Sequence, residues 1–254
     1  MFHEARGGQR VRSGGMKERS DTIPIDQLEP SINVIEAAGN LLGTGIQLVL
    51  QHGITIHDPA SSFATLATGA ETLLKLSVGM CRLADGLPWP SKDEMSGPLR
   101  HRITEMHGMT LDGMRRRTTG APPFLRPRID TVANDERLTR ILGCLDGYAR
   151  QGRFHELDTL ADSMPSGPSP RERWSAVKED IARGDPEILA SLGSADFKTI
   201  GWPRLNQPIA DSLIRWWGLH HLIWMRGEFG RRAQLLSAHL SLPNALADRA
   251  RTLG

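Results

Sequence analysis

Between Ser62 and Ala84 the apolar side chains fall at a spacing that only a helix gathers onto one side. Phe63, Leu66, Ala70, Leu73, Leu74, Ser77, Met80, Cys81 and Ala84 form one stripe with a period near 3.6 residues. Asp58 stands where an N-cap belongs, Pro59 at the first helical position and Gly86 just past the end. Glu71 and Lys75 sit four apart in the favourable order on the same segment. A striped helix of this length must bury its stripe against other helices, and the rest of the chain supplies them.

A helix is expected from Ser31 to Gln51, with Ile32, Ile35, Leu42, Ile46 and Val49 on one side. Its GNLLGTG run, Gly39 to Gly45, has no Lys-Ser/Thr after it and no strand before it. It therefore fails as a phosphate loop and reads as glycines that let helices approach closely. After the LPWPSKDEMSG connector, expected as an ordered loop around a covered Trp89, a further helix is expected from near Pro98. Leu99, Ile103, Met106, Thr110 and Met114 form its buried stripe, and Arg100 and His107 share one border of it, with Arg102 on the other. Thr118 to Arg128 reads as a Pro-rich linker. Helices follow at Asp135–Gln151, His155–Ser163, Arg171–Arg183 and Pro186–Leu192, with Trp174, Val177, Ile181 and Leu189 inward. Ile209 to Met225 is apolar nearly all round, which predicts a central helix. A final pair at Arg231–Leu240 and Asn244–Thr252 closes an all-α chain with no alternating strands and no internal repeat.

The expected organisation is a basic, unstructured arm over 1–20, an antiparallel helical core over 21–117, a linker over 118–128 and a helical region over 129–254. The apolarity of Ile209 to Met225 places that last region on the core. Met16-Lys17 offers a second start within the arm. Hydrophobic residues at 39% of the chain allow a packed core. A net charge of +2 announces no nucleic-acid binding by itself, although most of the cations are Arg, the better bidentate phosphate partner. Cys81 and Cys144 lie among apolar neighbours and read as buried thiols. No apolar signal region opens the chain, and Ile32 to Leu50 contains Glu36, Asn40 and Gln47, so neither secretion nor a membrane span is expected; the expected location is the cytoplasm.

The sequence has no GxSxG elbow, no CxxC and no HExxH, since His155-Glu156-Leu157-Asp158-Thr159 lacks the second His. His220 and His221 are adjacent, so they point about 100° apart on a helix and read as interior-edge histidines. No metal or cofactor is expected. What remains is Arg followed by His at the start of a helix, in LRHRITEMH, Leu99 to His107. Six residues separate Arg100 from His107, and four separate Arg102 from it. Similar spacings recur at Arg150–His155, Arg215–His220, Arg215–His221 and Arg232–His239, but only the Arg100/Arg102–His107 match follows a long helix carrying the Glu71/Lys75 pair. Arg115, Arg116 and Arg117 end the same helix, where cations suit the macrodipole and could bind phosphate.

GAETLLKL, Gly69 to Leu76, together with LRHRITEMH resembles the HEPN superfamily, four-helix domains found in RNA-targeting toxins and phage-defence proteins. The resemblance spans residues 31 to 117. It implies a four-helix core and metal-independent endoribonuclease activity in toxin–antitoxin or antiviral defence. His107 would be general acid or base, and Arg100 or Arg102 would hold the scissile phosphate, with His101 as the polar residue that follows the Arg. It further implies a site shared across a homodimer, RNA as substrate, and a cognate antitoxin or defence-complex protein as partner. The alternative is a catalytically silent helical adaptor that presents the Trp-rich helix 209–225 to a partner. A DNA-binding regulator fits less well, given the modest charge and no recognisable helix-turn-helix.

Overall fold

In the computed structural model, which describes residues 25–52, 59–152 and 167–253, helix α1 (Ile25–His52) packs along helix α2 (Pro59–Ala84). Ile35, Leu42, Ile46 and Val49 of α1 are fully buried, as are Leu66, Leu73 and Leu74 of α2. Glycines set how closely the two approach. A Cβ built at Gly69 would lie 2.9 Å from the Leu42 backbone nitrogen, and one at Gly45 would lie 2.5 Å from the Leu66 side chain. The glycine run of α1 thus works as a notch for helix crossing. The arm over 1–20, the Asp58 cap and the His155–Ser163 helix lie outside the described residues.

The connector after α2 turns at Gly86, whose φ is +75°, and continues into a short helix α3 (Lys92–Ser96). Ser91 and Glu94 form a reciprocal capping box there, and Glu94 also accepts from Arg82 at 2.5 Å. Trp89 lays its ring on Gly79 of α2, where a Cβ would come within 2.4 Å, while its other face stays open to solvent.

Helix α4 (Ile103–Arg117) starts later than the expected position near Pro98. The amides of Leu99 and Arg100 turn back onto the carbonyls of Glu94 and Gly97, at 2.9 and 3.0 Å. His101 then adopts φ +56°, the left-handed region, which cannot propagate a right-handed helix. Arg100 and His101 therefore lie in a turn, and Arg102 is the N-cap. Helical phase does not apply to Arg100, and its expected alignment with His107 along one helix border is corrected accordingly.

The expected linker is also shorter than 118–128. Helix α5 (Leu125–Ala133) begins inside it and buries Leu125, Ile129 and Val132. Helix α6 (Glu136–Gly147) is capped by Asp135 and runs into a π turn, Tyr148–Gly152. Helix α7 (Pro170–Arg183) opens on a Ser169/Glu172 capping box and α8 (Pro186–Ser191) on Asp185. Within α8 the inward residue is Ile188; Leu189 is 47% exposed, one position out of the expected phase. Helix α9 (Gly201–Met225) follows, then α10 (Gly230–Leu236), a 3-10 turn (Ser237–Leu240) and α11 (Asn244–Thr252).

Helix α9 is the axis of the fold. It touches α1, α5, α6, α7, α8, α10 and α11, and Trp216, Trp217 and Trp224 on it are fully buried. The Trp217 indole N–H donates to the Leu240 carbonyl at 3.0 Å. These three indoles are covered by their own chain and offer no surface to a partner. One hydrophobic cluster runs from Ile35 to Leu246. Among the described residues the protein is all-α, with no strand, and no helix is long and apolar enough to cross a membrane.

Candidate active site at the start of helix α4

The turn before α4 is fastened to α2 by one carboxylate. Glu71 accepts the His101 backbone N–H at 3.0 Å and faces the His101 Nδ1 at 2.9 Å. These two contacts stabilise a left-handed conformation that costs a non-glycine residue roughly 1–2 kcal/mol. His101 is the one non-glycine residue with positive φ among the described residues. Lys75, one helical turn along, pairs with the same carboxylate at 2.7 Å. Burial pushes the Glu71 carboxyl upward, but hydrogen bonds from Lys75 and from the backbone and ring of His101 outweigh it and hold it below the usual carboxylate range.

Arg100 fixes the tautomer of the ring. Its Nε donates to His101 Nε2 at 3.1 Å. A guanidinium has only donors, so Nε2 accepts and the ring proton sits on Nδ1, toward Glu71. The result is a carboxylate–imidazole–guanidinium chain whose outward nitrogen carries a lone pair. Arg100 is exposed and forms no ion pair among the described residues. Its positive charge is thus available beside an oriented base, an arrangement suited to holding an anion while a proton is taken from it or its neighbour.

The rim is built differently. Arg102 pairs with Glu105 at 2.8 Å. Arg150 pairs with Asp146 at 2.8 Å, approaches Glu105 at 3.6 Å, and donates to the His101 carbonyl at 3.3 Å. Asp146 also accepts from the backbone and the hydroxyl of Thr104, both at 3.2 Å. It therefore caps α4 from α6, because Arg102 supplies no side-chain cap of its own. Arg102 and Arg150 are themselves exposed and add two further guanidinium groups to the cluster, each already balanced by a carboxylate.

His107 lies elsewhere. It is 9% exposed, its ring stands edge-on to Trp216 at a centroid distance of 6.3 Å, and its Nδ1 is buried without a partner. Burial pushes its pKa down to about 4, so the ring is neutral at physiological pH. Beyond Trp216, at 5.2 Å, is His220, fully buried with Nδ1 facing the Ser77 hydroxyl at 2.9 Å. The structure thus brings Arg100, His101 and Arg102 together at the surface and sets His107 in the core.

Of the three terminal arginines of α4, Arg117 pairs with Asp85 at 2.8 Å and donates to the Glu228 carbonyl, while Arg115 approaches Asp112 and Asp130 at 3.9 and 4.0 Å. Arg116 is exposed and makes no ion pair among the described residues. No group of three or more His, Cys, Asp or Glu positioned to hold a metal occurs among the described residues. Both cysteines are free, and burial pushes the Cys144 thiol up to about 11.

Sequence reasoning placed Glu71 and His101 on motifs but did not pair them, and it did not bring in Asp146 or Arg150. The usable signal was the polar residue after Arg100 together with the Glu71/Lys75 repeat. Comparison with protein-family models, with curated proteins and with solved structures finds no match for this chain.

Proposed function

We propose that this protein is a metal-independent endoribonuclease of the HEPN kind, acting in toxin–antitoxin or antiviral defence, with its chemistry carried by Arg100, His101 and Glu71. The observation that supports this reading most is the chain from Glu71 through His101 to the unbalanced guanidinium of Arg100. His101 Nε2 takes the proton of a ribose 2′-hydroxyl, the freed oxygen attacks the adjacent phosphorus, and the 5′-oxygen leaves with a proton returned from the imidazolium or water. The products are a 2′,3′-cyclic phosphate and a 5′-hydroxyl. Glu71 holds the imidazole in its tautomer and balances the imidazolium as it forms. Arg100 leaves the ring to bind the phosphate, with Arg102 and Arg150 on the rim. His107 takes no part in the proton transfer, since its neutral ring is enclosed.

A second copy of the chain is part of this reading. It would meet the exposed face of α4, where Gly108 leaves open space and Met109 is 48% exposed. The test is expression of wild type, His101→Gln and His107→Ala, reading growth arrest and total RNA integrity. The proposal expects His101→Gln to lose both effects and His107→Ala to keep them wherever it remains folded. Arrest that survives His101→Gln removes the reading.

An adaptor role has one feature in its favour. Pro30, Val34, Leu76, Met80, Leu83 and Trp89 line an apolar groove of about 400 Å³ on the opposite edge of α2. A wild-type protein that leaves RNA intact would make that groove the feature to pursue.

A further inference from the structure

A cleft of about 750 Å³ opens between α5, the C-terminal half of α9 and α11, and shares no residue with the Glu71–His101 cluster. Its size is that of a small-molecule site. Leu219 and Leu222 form the floor, and Gly218 keeps it low: a Cβ built there would meet only Ala250, at 3.9 Å. Arg128, Arg215 and Arg251 stand around this hydrocarbon, and no Asp or Glu lines the cleft.

The cations are unequally occupied. Arg215 pairs with Asp135 at 3.0 Å, yet its Nε is buried without a partner. Arg251 lies against Asp248 outside the cleft. Arg128 makes no ion pair among the described residues. Burial pushes the His221 pKa down, which disfavours charge on that ring and leaves the arginines as the cations of the cleft. The lining contains no Phe, Tyr or Trp, hence no platform on which a nucleobase would stack. A cationic rim over an aliphatic floor selects a ligand divided the same way.

We propose that this cleft binds a small amphipathic anion: a carboxylate or phosphate monoester head on Arg128 and Arg215, with an unbranched aliphatic chain lying over Leu219 and Leu222 toward Gly218. The proposal is independent of the nuclease reading, because its readout is binding alone.

Calorimetric titration of the full chain with sodium dodecanoate below its micellar range tests it, with dodecyl phosphate and dodecan-1-ol as parallel probes. One saturable site is expected for at least one of the two anions, the tighter of which names the head group, and the alcohol should bind at least about tenfold more weakly. Arg128→Gln, an exposed position, should weaken the anion by about tenfold or more. Gly218→Leu should fill the floor and abolish binding of all three probes; circular dichroism and urea unfolding establish that this variant is folded, and Arg128→Gln decides the question if it is not. No saturable binding of either anion overturns the proposal. So does equal affinity for the alcohol, or affinity for the anions that Arg128→Gln leaves unchanged.

Discussion

Acidification should loosen the core through its two enclosed imidazoles. In the unfolded chain a histidine takes up its proton near pH 6.5. Folded, His107 does so only at about 4 and His220 only at about 3. Burial is the main cause in both, and at His220 the nearby His107 adds to it. Between the folded and unfolded values the unfolded chain holds more protons, so the stability contributed by the neutral rings is complete above about pH 6.5 and is lost as pH falls. For His107 the drop from 6.5 to about 4 corresponds to roughly 2 kcal/mol lost between pH 7 and pH 5, and His220 contributes a similar amount if the two act independently. Against a typical domain stability of about 5–15 kcal/mol that is a large share. Urea unfolding followed by tryptophan fluorescence at pH 7 and pH 5 reads it. His107→Phe replaces one titrating ring with an apolar one of similar size, and should remove about half of the pH-dependent loss, whatever it does to absolute stability. A variant that loses as much stability between those two pH values as wild type would refute the reasoning.

Gly69→Ala drives a methyl group against the α1 backbone at Leu42, 2.9 Å away, and should cost about 1–3 kcal/mol by urea unfolding. Asp135→Ala removes both the N-cap of α6 and the partner of Arg215, and should cost about 1–2 kcal/mol in the same assay. Glu71→Ala leaves the His101 amide and ring without their acceptor and should lower stability by about 2 kcal/mol. Adding His101→Gly should recover about 1 kcal/mol of it, because glycine adopts the positive φ without strain.

Helix periodicity carried the fold a long way. The stripe of α4, from Ile103 through Met114, is buried as its phase requires, and the nearly all-apolar α9 is central. The start of α4 was not legible, because nothing local marks His101 for a left-handed conformation. The contacts that hold it come from Glu71, thirty positions earlier. His107 was placed at the border of the stripe, but α4 packs against α2, α5 and α6 together, and its buried arc widens to include His107 and Leu111. The candidate site suffered from both effects. The Arg-then-His spacing pointed to this turn but aligned Arg100 with His107, whereas one residue of left-handed backbone takes Arg100 off the helix and leaves it facing His101.

Single-turnover cleavage of a short single-stranded RNA, with chelator present, compares the two imidazoles directly. The account predicts that wild type cuts to a 2′,3′-cyclic phosphate and that a 2′-deoxy residue at the cut site blocks it. It also predicts that His101→Gln and Arg100→Gln each slow the step by about a hundredfold or more, while a folded His107→Phe stays near wild type. A rate that collapses in His107→Phe and survives in His101→Gln would contradict it.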